Sequence, residues 1–185
     1  MTTFRLRSSR GRLYVLIGEE AWLNLTSTPE PEGPRRRSMY ELLDELVSKE
    51  TWQVDAGATT AVLGSATALF LNIKKVLKRC SQLTRRETLF RLHQVFQKVL
   101  VAFAQRLSAK IPSLPSAVKL SDSDERMVCY IINTAEYCRE TVNPLGESVA
   151  KALDKPFSDE IDMTAEEDEF SGYVRSLPPC YMIRG

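Results

Sequence analysis

Histidine occurs once in this chain, as His93, so neither a histidine-based metal cluster nor a Ser/His/Asp arrangement has the imidazoles it needs. Cysteine is scarce too. Cys80, Cys129, Cys138 and Cys180 show no metal-ligand spacing and fit a reduced cytosolic chain better than a disulfide scaffold. On one helix Cys129 and Cys138 would face opposite ways, roughly 13 Å apart along the axis, and could not bridge each other. Also missing are a glycine-rich phosphate loop, a P-loop and a dinucleotide fingerprint. No apolar run approaches the ~20 residues that cross a bilayer. These absences leave no catalytic residue, no cofactor-binding residue and no metal ligand to nominate, and the expectation is a protein that is not an enzyme and carries no cofactor.

The chain has what a folded domain needs. At 185 residues, 43% hydrophobic and a formal net charge of +1, it is of single-domain size and can bury roughly 70% of its unfolded surface. Residues 1–37 are read as an irregular, Pro/Arg-rich segment. Arg5, Arg7, Arg10 and Arg12 precede any acid, a weak organelle-targeting pattern that is better read as a ragged terminus. Pro29, Pro31, Gly33 and Pro34 break regular structure before the basic run Arg35 to Arg37. Leu13 to Ile17 has strand character but no second strand to pair with, and is expected to be a loop against helices.

From Ser38 the pattern is helical. Ser38 and Glu41 form a capping box ahead of a helix near 38–50. A second helix, near 65–83, carries Leu69, Ile73, Val76, Cys80 and Leu83 at three-four spacing, widened by Phe70 and Leu77. Thr84 and Glu87 suggest another box for a third helix near 85–110, and so short a connection predicts an antiparallel hairpin. After Pro112 and Pro115 a fourth helix spans about 123–154, its first turn rich in acids that suit the positive end of the helix dipole. Val128, Ile131, Ala135, Cys138, Val142, Leu145 and Val149 form its packing stripe, in phase across Pro144. That phase predicts one helix, bent or briefly broken at 143–144. Thr164 with Glu167 opens a weak last helix near 164–177, with Phe170, Tyr173, Val174 and Leu177 as its apolar face, and 178–185 form a tail. The expected fold is all-α: an elongated bundle of about five amphipathic helices.

One electrostatic asymmetry stands out. Across residues 65–110, ten basic side chains face only Glu87, whereas 159–169 is acidic. Lys74, Lys75, Lys78, Arg79, Arg85 and Arg86 form the candidate basic face. It reads as a solvated surface, a dock for an acidic partner or the acidic tail, or a contact for anionic membrane. Nucleic acid is not expected, because exposed aromatics are not interleaved with the cations.

Four blocks carry a family resemblance: Lys49 to Asp55 (KETWQVD), Cys80 to Thr84 (CSQLT), Cys129 to Cys138 (CYIINTAEYC) and Ala165 to Phe170 (AEEDEF). In this order they resemble the vacuolar-protein-sorting fifty-three family, whose members are subunits of the Golgi-associated retrograde protein tethering complex and its endosomal relative. The third block is the most specific. The resemblance covers Ser38 to Phe170 and matches an interior section of a longer family member, so the chain reads as a fragment or a truncated, divergent copy. It implies a helical-rod subunit without catalytic residues, cytosolic and peripheral to trans-Golgi-network and endosome membranes, acting in retrograde endosome-to-Golgi transport. The implied partners are the other complex subunits, with SNAREs and small GTPases. The alternative is a free-standing helical adaptor whose basic hairpin binds anionic membrane or acidic partners.

Overall fold

In a computed structural model, the described residues are 6–9, 12–17, 21–24, 36–52, 62–111 and 121–176, with side chains described from 38 to 172. Five helices follow a small sheet: α1 (Met39–Lys49), α2 (Gly64–Cys80), α3 (Glu87–Ser108), α4 (Asp122–Ala152) and α5 (Thr164–Ser176). A 3₁₀ turn, Phe157–Glu160, lies between α4 and α5. The helical bundle is the one the sequence predicts.

The sheet corrects the reading of residues 1–37 as irregular. Its strands β1 (Leu6–Ser9), β2 (Arg12–Ile17), β3 (Ala21–Asn24) and β4 (Arg36–Ser38) lie in sequence order. The first two pairings are antiparallel and β3–β4 is parallel. Leu13 to Ile17 is therefore strand, not loop. Its partners β1 and β3 are each only four residues long, too short for an alternation to reveal them. Pairing of backbone amides and carbonyls needs no apolar pattern. The overlooked signal is local: Ser9 pairs with Arg12 across a two-residue connection containing Gly11, a residue such hairpins favour.

Helix ends show where local chemistry suffices and where it does not. The Ser38 hydroxyl accepts from the Glu41 amide and the Glu41 carboxylate accepts from the Ser38 amide, the expected capping box. Ser121 caps α4 by accepting from Asp124. The other two expected boxes do not form. Helix α3 starts after Arg86 without a side-chain cap, because Thr84 lies too far back and meets only the Arg86 amide, at 3.5 Å. At α5, Thr164 is the first helical residue, and Asp162 accepts from both its amide and its hydroxyl. The Glu167 side chain turns to α4 instead.

Long-range contacts fix the helix directions. The Glu50 carboxylate accepts from the Ser65 amide at the start of α2, while Lys110, just past α3, stacks over Trp52 at 5.1 Å. The end of α3 thus lies beside the start of α2, and the pair is the antiparallel hairpin expected. Thr134 reaches the amide of Leu63, and the amide of Asp154 donates to the carbonyl of Arg85. Helix α4 therefore runs parallel to α2. Gly146 lies against Met163 and Asn143 donates to Glu167, so α5 folds back antiparallel to α4.

Helix α4 runs through Pro144 as a single helix, not a broken one. A proline there removes the hydrogen bond to the Glu140 carbonyl and costs about 3 kcal/mol in a helix interior. The turn beyond it is anchored by Leu145, Gly146 and Val149, all buried, and the Pro144 carbonyl accepts from the Ser148 hydroxyl. The Asn143 side chain donates to Glu167 of α5 at 2.7 Å.

Candidate functional site

Each side chain of the predicted stripe is buried: Val128, Ile131, Ala135, Cys138, Val142, Leu145 and Val149. From Ile131 onward they join one core with Phe70, Phe96, Phe103 and Phe170. Leu145 and Val149 thus share the buried side with Ile131 and Cys138, as their phase predicts. The stripe is internal packing and is covered by the chain's own helices.

The single histidine has the environment of a core residue. His93 is 2% exposed, beside the Phe90 ring, and burial pushes its pKa down to about 4. It is therefore neutral at physiological pH. Burial likewise pushes the Cys80 thiol up to about 12, against a smaller opposing effect of Arg79, and raises Cys138 further. A buried thiol that stays protonated is a poor nucleophile. Cys129 is exposed. Cys180 falls outside the described residues, as do Tyr173's side chain, Val174's side chain and Leu177. Among the described residues no cluster of His, Cys, Asp or Glu could hold a metal, and no helix is long and apolar enough to cross a membrane.

Part of the acidic stretch is used internally. Gln97 on α3 donates to the Asp162 carbonyl at 2.7 Å and to the buried Glu166 carboxylate at 3.3 Å. Glu167 accepts from Asn143 at 2.7 Å and lies 3.6 Å from Arg139. Arg139 also forks onto Glu136, and that hydrogen bond holds the Glu136 carboxyl below its usual range. These acids fasten α5 to α3 and α4.

The basic face remains open. Lys74, Lys75, Lys78, Arg85 and Arg86 are exposed, and Arg79 is partly so. Among the described residues the first five have no ion-pair partner. Helical geometry places Thr67, Leu71, Lys74, Lys75 and Lys78 within one arc of α2, opposite Leu69, Ile73, Val76 and Cys80. Two leucines that the sequence reading misplaced or passed over are exposed, Leu71 on α2 and Leu83 in the turn after it. Leu83, expected on the core stripe, is 44% exposed because α2 ends at Cys80 and the turn carries it outward. Leu71 is 52% exposed. Its offset of two from Leu69, across the helix from the core stripe, is the signal that marks it.

No family model and no solved structure matches the chain. A curated protein of Arabidopsis thaliana does: Vacuolar protein sorting-associated protein 53 A is 40% identical over 149 residues. The match covers 75% of this chain. The chain belongs to the vacuolar protein sorting fifty-three family. It spans 18% of the length of that relative, as a fragment or divergent copy would. All four blocks that carried the resemblance have members in the bundle core or at its joints. Within the family stretch, Glu50 caps α2, Cys80 and Cys138 are buried in the core, and Phe170 seats α5. What the family's residues do in this chain is largely hold helices together.

Proposed function

We propose that this chain is part of a non-enzymatic vesicle-tethering subunit of the Golgi-associated retrograde protein type, acting in transport from endosomes to the trans-Golgi network. The observation that carries this reading is the 40% identity to a protein named for vacuolar sorting. Two structural features agree with it. The core is filled by the chain's own helices, which suits a rigid strut, and the thiols and imidazole that could do chemistry at Cys80, Cys138 and His93 are buried. Its work is contact between exposed helix faces and the other subunits of the complex. SNAREs and small GTPases are further partners by family resemblance, and the place of action is the cytosolic side of trans-Golgi-network and endosome membranes.

Affinity capture of the tagged chain from cell extract tests the assignment. Recovery of other tethering subunits is the expected result. Consistent failure to recover any of them would favour a free-standing helical adaptor.

A further inference from the structure

We infer that the outer face of α2, continued by the turn after it, is a docking surface for an anionic lipid bilayer. Lys74, Lys75 and Lys78 share one exposed arc with Leu71, and Leu83, Arg85 and Arg86 extend the same end of the hairpin. The chain leaves these charges uncompensated: none of the three lysines, nor Arg85 nor Arg86, has an ion-pair partner among the described residues. The acids of 159–169 that could have neutralised them include Glu166 and Glu167, which are held by Gln97, Asn143 and Arg139 on the other helices. A helix face of unpaired cations is complementary to a negatively charged plane.

The composition favours lipid over protein. Protein interfaces are depleted of lysine at their centres and anchored by aromatic residues in desolvated pockets. This face has lysine at its centre and no aromatic residue. Its apolar content is Leu71 and Leu83, the large hydrophobic residues of the described chain that stand exposed. Two isolated leucines make a poor protein hot spot. They are well placed to enter the headgroup region while flexible lysine stems carry their charges to phosphates. Each basic residue near an anionic surface contributes about 1 kcal/mol, or about fivefold in partitioning, so several acting together give reversible, salt-sensitive attachment. The inference stands independently of the tethering assignment: partner recovery tests that one, and lipid binding this one.

The test is co-sedimentation of the full chain with vesicles of phosphatidylcholine alone and of phosphatidylcholine with phosphatidylserine. Binding to the anionic vesicles only, weakening with added salt, is expected. The variant Lys75→Gln/Lys78→Gln should lower partitioning about 25-fold, and Leu71→Ser should lower it further without altering the salt slope. A control, Lys98→Gln/Arg126→Gln, removes the same charge from exposed positions on α3 and α4 and should change binding by less than about twofold. All these side chains are exposed, and unchanged helicity by circular dichroism confirms that the variants fold. Equal binding to both vesicle types, no binding to either, or an equal loss in the control would each overturn the proposal. No vesicle binding combined with capture of an acidic helical protein that the Lys75/Lys78 variant loses would assign the face to protein instead.

Discussion

His93 and Gly146 are ordinary residue types in unusual surroundings, and each gives a sharp expectation. Burial favours neutral imidazole, with a pKa near 4 in the folded chain against an ordinary 6.5. The unfolded chain therefore takes up the proton first. Stability is complete above pH 6.5 and falls as pH drops through that value to about 4, by up to about 3 kcal/mol. Urea unfolding at a series of pH values should show a weaker acid dependence for His93→Gln than for the parent, by this amount. Identical slopes would mean that His93 is solvated. At Gly146 the absence of a side chain sets the α4–α5 spacing. A Cβ there would lie 2.6 Å from Met163 Cγ, and Met163 is itself buried. Alanine gains up to about 1 kcal/mol in helix propensity but overpacks the contact by roughly 1–3 kcal/mol. Gly146→Ala should thus be net destabilising, by about 1 kcal/mol, and a gain in thermal midpoint would refute the close approach.

At the scale of elements, α2 is the instructive helix. Its N-cap position, Leu63, has no side chain able to cap. Two distant residues do the work: Thr134 accepts from the Leu63 amide at 3.0 Å, and Glu50 from the Ser65 amide at 2.6 Å. Thr134→Val keeps the shape but strands a buried amide, a loss of about 1–3 kcal/mol in unfolding free energy. Thr134→Ser keeps the acceptor and should recover most of it; equal losses for both variants would show that the methyl, not the hydroxyl, matters. Here too lies the limit of sequence reasoning. The box at Ser38 was legible, whereas the same spacing at Thr84 and Thr164 pointed to boxes that do not form; the phase of the α4 stripe across Pro144 was legible as well. Caps supplied from 15 and 71 residues away were not, because they depend on packing that no local pattern encodes. The strands were hidden for a related reason: their pairing is a backbone property, and the partners of Leu13 to Ile17 are too short to show a pattern. On the basic face the cations could be read directly, whereas Leu71 became informative only when the opposite side of α2 was seen to be the buried one.

For the whole molecule the question is whether helices joined by such remote ties unfold as one unit. The contiguous core argues that they do: residues of all five helices enter it, from Met39 in α1 to Phe170 in α5. The cysteines report on this directly, because thiolate is the reactive form and burial both hides the sulfur and raises its pKa. Exposed Cys129 should be labelled promptly by a thiol reagent in the native protein. Cys80, at the end of α2, and Cys138, in the middle of α4, should react only through opening of the core. If opening is global, site-resolved labelling of both will slow to the same limit and accelerate with urea along the same slope, equal to that of equilibrium unfolding. A shallower slope at Cys80 alone would show that the basic end of the hairpin opens separately from the α4–α5 half, and would break the single cooperative unit into two.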